Sequence, residues 1–65
     1  MRNTYRLKIL TSSAYWPEMV VARSYSQSGG AYIFYDKNDE NKTVVVASYP
    51  VERTIIESIS YGNEE

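Results

Sequence analysis

The sequence predicts an all-β fold, a small antiparallel sheet of four to five strands curled into a barrel, and three observations carry that reading. Residues 4–11 alternate with period two, Ser28-Gly29-Gly30 separates two β-rich segments, and Val44, Val45 and Val46 stand in one run. Alternation marks a half-buried strand. Paired glycines admit positive φ without a Cβ penalty, and consecutive β-branched residues disfavour a helix.

In the first strand Tyr5, Leu7 and Ile9 share one side, and Thr4, Arg6 and Lys8 the other. Thr11-Ser12-Ser13-Ala14 is a polar break, and Tyr15-Trp16-Pro17 extends it as a loop in which Pro17 biases Trp16 towards an extended backbone. Glu18 to Gln27 reads as the second strand, with Met19, Val21, Arg23 and Tyr25 on one face and Val20, Ala22, Ser24 and Ser26 on the other. Across the glycine turn it forms a hairpin with residues 31–36, where Ala31-Tyr32-Ile33-Phe34-Tyr35 is apolar or aromatic on both faces. Asp36 to Lys42 is a polar connection and Thr43 to Ser48 the fourth strand, so strands two, three and four form a meander.

Residues 50–61 admit two readings. As a helix, Val51, Ile55 and Ile59 repeat every four residues, with Pro50 opening the segment and Gly62 closing it. As a tight 3₁₀-type corner over 49–53 followed by a strand, Ile55, Glu57, Ile59 and Tyr61 alternate with Thr54, Ile56, Ser58 and Ser60. Residue choice favours the strand, because Thr, Ile, Ser and Tyr are weak helix formers. The helical reading gives the alternative architecture, a four-stranded meander with a C-terminal helix across one face. Residues 1–61 are read as one small β domain and 62–65 as a frayed acidic tail.

The edges of an antiparallel sheet need protection, and curling into a barrel supplies it. The order strand, strand, glycine turn, strand, strand, Pro-containing corner, strand resembles, in topology only, the small five-stranded barrels of Sm-like and OB-like proteins. The resemblance implies a barrel and assigns no residue a role, since the sequence contains none of the Sm-type motifs.

Composition narrows the function classes. A chain of 65 residues buries only about 60% of its unfolded surface, so a lone core is marginal. With no Cys and no His, disulfides, thiolate zinc sites and imidazole ligation are excluded. Hydrophobic content of 43% is too high for a disordered chain. The longest apolar runs, Met19 to Ala22 and Val44 to Ala47, fall far short of the roughly 20 residues of a spanning helix. The basic N-terminus lacks the apolar stretch of a secretory signal, so a cytoplasmic protein without membrane contact is expected. Residues 1–35 carry a charge balance of +3 and residues 36–65 one of −4, a sequence dipole that favours head-to-tail contacts or a small anionic ligand.

No constellation calls for catalysis. Ser12 and Ser13 lack a histidine base and read as turn formers. Asp36, Asp39 and Glu40 crowd one loop that reads as solvated surface, and the calcium-loop spacing of Asp36, Asn38 and Glu40 fails where Gly and Glu are required, at Asn41 and Ala47. Neither a metal site nor a cofactor is expected. The unusual feature is seven tyrosines with Trp16, more ring surface than so short a chain can hide. Tyr15, Trp16, Tyr25, Tyr32 and Tyr35 are the candidate stacking residues, and Arg6, Lys8 and Arg23 the candidate partners for a phosphate or carboxylate.

The function expected from these residues is a non-enzymatic binding module acting by surface contact, as a homo-oligomer, on a protein partner or a small anionic planar ligand of nucleotide type. Its size suits an accessory factor such as a phage-encoded inhibitor of a host protein or a nucleotide-sequestering protein. The alternative is a small barrel binding single-stranded nucleic acid on an aromatic face, against which stands a pI of 5.3.

Overall fold

A computed structural model describes residues 2–62. They form six strands, β1 (Asn3–Leu10), β2 (Tyr15–Ala22), β3 (Ser24–Ser28), β4 (Ala31–Lys37), β5 (Thr43–Pro50) and β6 (Thr54–Ser60), with a 3₁₀ turn at Val51–Arg53. The fold is all-β, but the strands divide between two three-stranded antiparallel sheets, a first sheet ordered β2-β1-β6 and a second ordered β3-β4-β5. A single sheet of four to five strands is therefore corrected, and among the described residues no closed barrel is formed.

β1 follows its alternation, with Tyr5 and Leu7 buried and Arg6 and Lys8 exposed. Thr11 tightens the turn that follows: its backbone N–H and its hydroxyl both donate to the Ala14 carbonyl at 2.7 Å, and its Oγ1 accepts the Ala14 N–H at 3.1 Å. That closure lets pairing begin at Leu10 opposite Tyr15, so Tyr15, Trp16 and Pro17 belong to β2 and not to a loop. Pro17 is tolerated because β2 is an edge strand, where a missing N–H leaves no ladder position empty on the outer side.

The long second strand is also corrected. It breaks at Arg23 into β2 and β3, which lie in different sheets, and the Arg23 N–H donates to the Tyr35 carbonyl at 2.8 Å. The break shifts the inward phase by one residue. Val20 and Ala22 face the core from β2, whereas in β3 it is Tyr25, opposite buried Phe34, that faces inward.

Gly29 (φ 59°) and Gly30 (φ 78°) form the two-residue hairpin turn, with Ser28 opposite Ala31. The corner after β5 is held by the Val51 N–H, which donates to the Gly30 carbonyl at 2.9 Å. Beyond it, Thr54–Ser60 pairs with β1, so the C-terminal helix is overturned: a strand of Ile, Ser and Thr completes the first sheet. The Gly62 N–H donates to Asn3 Oδ1 at 2.8 Å, and the expected acidic tail from residue 63 onward lies outside the described residues.

The core is thin. Tyr5, Leu7, Val20, Ala22 and Phe34 are the buried apolar residues, with Ile9, Tyr32, Ala47, Tyr49, Ile56 and Ile59 packed around them. The radius of gyration is 12.3 Å, where a compact chain of this length has about 11 Å.

Candidate interaction surface

Pairing register decides which side chains share a face, because residues opposite one another point the same way. On the outer side of the first sheet, β2 supplies Tyr15, Pro17, Met19 and Val21, β1 supplies Arg6 and Lys8, and β6 supplies Ile55 and Ser58. Met19 and Val21 are 57% and 51% exposed. An apolar column thus lies beside a cationic one. Between Arg6 and Leu7 the β1–β6 register shifts, which leaves Glu57 as an extra bulged residue. Glu57 reaches back to Lys8, Oε2 to Nζ 3.2 Å. Arg6 makes no ion pair or side-chain hydrogen bond among the described residues, so its guanidinium is available to a ligand. A shallow open groove of about 430 Å³ runs over this region, lined by Arg6, Leu7, Pro17, Glu18, Met19 and Glu57.

The structure gathers Tyr15, Arg6 and Lys8 on this one face and distributes the other candidates elsewhere. Trp16, opposite Ile9, points to the core side of the sheet, but it lies beyond the end of the core and is 63% exposed. Tyr25 and Tyr32, with ring centroids 6.2 Å apart, join an inner aromatic cluster in which Tyr25 stands 5.4 Å from Tyr5 and 5.7 Å from Phe34. Tyr35 lies on the outer side of the second sheet, its hydroxyl 3.1 Å from Ser26 Oγ. Pro17, Met19 and Val21 were missing from the sequence-predicted set, although they continue the period-two column that starts at Tyr15.

Arg23 is committed to a structural clasp. Its Nε donates to Asp36 Oδ1 at 3.1 Å, Arg2 Nε donates to Oδ2 at 2.6 Å, and the Lys37 N–H adds a third bond at 2.7 Å. Asp36 is 8% exposed, so its assignment to a solvated loop is corrected. The Arg2 hydrogen bond, followed by that of the Lys37 amide, holds its carboxyl below the usual aspartate range. The loop proper closes on Asn38, whose Oδ1 accepts the N–H groups of Glu40 (2.9 Å) and Lys42 (3.0 Å). On the core side, burial and then neighbouring Glu18 raise the Tyr49 phenol above its usual range, with its hydroxyl 3.4 Å from Glu18 Oε2. Thr54 Oγ1 is buried without a hydrogen-bond partner among the described residues.

No protein-family model, curated protein or solved structure matches the chain.

Proposed function

We propose that the chain is a non-enzymatic binding module whose working surface is the outer face of the first sheet. One observation carries this reading: the apolar column Tyr15, Pro17, Met19 and Val21 stands directly beside Arg6, a cation with no ion-pair partner among the described residues. Such a face recognises an acidic group next to an apolar one. The groove is open and shallow, which suits an extended macromolecular partner better than an enclosed small ligand. A protein partner is therefore favoured over a sequestered nucleotide, in keeping with an accessory or inhibitory role in a cytoplasmic setting. The strand order, with one bent strand passing from the first sheet to the second, is also compatible with an open form of the Sm-like or OB-like barrel, and the module is read as homo-oligomeric.

The test is photo-crosslinking from position 19 inside the cells that encode the chain. A benzophenone residue there is expected to give one discrete adduct that disappears with Arg6→Glu. No adduct, or an adduct indifferent to Arg6→Glu, would remove the reading. Titration with nucleoside monophosphates and oligothymidylate, followed by amide shifts at residues 6, 8 and 19, reads the nucleotide and nucleic-acid alternatives; saturable, salt-sensitive shifts would favour them.

A further inference from the structure

The clasp between the two sheets has more hydrogen-bonding capacity than it uses. A guanidinium carries five N–H groups, and Arg2 and Arg23 each commit one of them, the Nε–H, to Asp36, at 2.6 and 3.1 Å. Their terminal Nη groups have no hydrogen-bond partner among the described residues, and the two side chains are 53% and 41% exposed. Asp36 is the reverse, a buried carboxylate that also accepts the Lys37 N–H at 2.7 Å. Two cations therefore share one satisfied anion. Lys37, next along β4 and exposed, adds a further cation with no ion pair among the described residues. The backbone that presents Arg23 is fixed from both sides, since its N–H donates to the Tyr35 carbonyl at 2.8 Å and its carbonyl accepts Asn3 Nδ2 at 3.3 Å. Gathering two guanidinium groups on one carboxylate sets like charges close together, a repulsion that a second anion on their free side relieves.

We propose that the Nη groups of Arg2 and Arg23 form a binding site for a phosphate monoester. Such a group carries about −1.5 to −2 charges at neutral pH and three strong acceptor oxygens. That matches two guanidinium forks whose charge Asp36 offsets only in part, whereas a carboxylate brings less charge and fewer oxygens. With Asp36 already satisfied by three donors, the ligand meets guanidinium edges that are oriented before it arrives. The site shares no residue with the outer face of the first sheet, so it stands or falls independently of the partner proposed there. Both arginines are about half exposed, and inorganic phosphate alone is expected to bind with a Kd of about 1 mM.

Nitrogen-15 spectra recorded while inorganic phosphate is added to about 20 mM, against sodium chloride at matched ionic strength, test the site. The Nε–Hε resonances of Arg2 and Arg23 are expected to shift saturably with phosphate and not with chloride. Arg23→Lys, which keeps the charge and loses the fork, is expected to raise the Kd about fivefold, and Arg6→Gln to leave it unchanged. If Arg23→Lys fails to fold, as read by circular dichroism, Arg2→Lys, ahead of β1, replaces it with the same expected result. Absence of a saturable shift in the wild type, an equal response to chloride, or an affinity unmoved by the lysine would overturn the proposal. Adenosine monophosphate distinguishes the sources of the group: tighter binding than phosphate assigns the site to a nucleotide, and equal or weaker binding assigns it to free phosphate.

Discussion

Four of the five buried apolar side chains, Tyr5, Leu7, Val20 and Ala22, belong to the first sheet, and the second contributes Phe34 alone. The second sheet compensates with rings: Phe34 lies 5.1 Å from Tyr5, 5.7 Å from Tyr25 and 6.1 Å from Tyr49. The outer sides differ in the opposite sense, for the first sheet carries Arg6 and Lys8 on its central strand, while on the second the charge among the described strand residues is Lys37 at the end of β4. A small chain can thus use one sheet as its foundation and attach the other through a few large side chains, leaving two exterior faces of unlike chemistry.

The largest expected effect comes from removing the ring that attaches the second sheet. Phe34→Ala is expected to cost about 4 kcal/mol, enough to unfold so thin a core, as read by urea titration. If the sheets are as unequal as described, amide protection is lost from β3–β5 before β1; simultaneous loss would show a single cooperative unit. Next comes the clasp that ties the two sheets, Arg2 ahead of β1 and Arg23 between β2 and β3, both on Asp36 of β4. Asp36→Asn is expected to cost about 2 kcal/mol. Because the folded carboxyl is held below the ordinary aspartate value of 3.8, its stabilisation is present above that pH and lost as the pH falls below it. The wild-type urea midpoint should accordingly drop on acidification more steeply than that of the variant.

Smaller effects sharpen the same contrast. Gly30→Ala meets no atom within 4 Å, so its cost is purely that of φ 78°, about 1 kcal/mol, felt in the β3–β4 hairpin. Least of all should be Glu57→Gln on the first sheet, since Lys8 and Glu57 are both about half exposed and such pairs contribute at most about 0.5 kcal/mol. A larger loss would show that the β6 bulge needs its charge to fold.

Much of this was legible where local signals agree. The alternation of Tyr5, Leu7 and Ile9, the glycine turn and the valine run each specify their strand without outside help. The division into two sheets was not, because period-two patterning and β-formers run unbroken through Arg23, and only the tertiary pairing of its amide with Tyr35 marks the break. Asp36 was hidden for a similar reason: its sequence neighbours are polar, while Arg2, which helps to bury it, stands 34 positions away. At the candidate surface, Tyr15 and Trp16 are neighbours in the chain, yet adjacent residues on a strand point to opposite sides. Register places Tyr15 with Arg6 and Lys8, and Trp16 with Ile9.

The one-residue change of phase at Arg23 also bears on how the chain tolerates alteration of its length. Adding or deleting a residue among Thr11 to Ala14 merely redraws an exposed bend. The same edit next to Arg23 would swing Tyr25 into solvent and seat a serine hydroxyl under Phe34. Homologues of this chain should therefore vary in span at the first connection and keep a fixed count across the second.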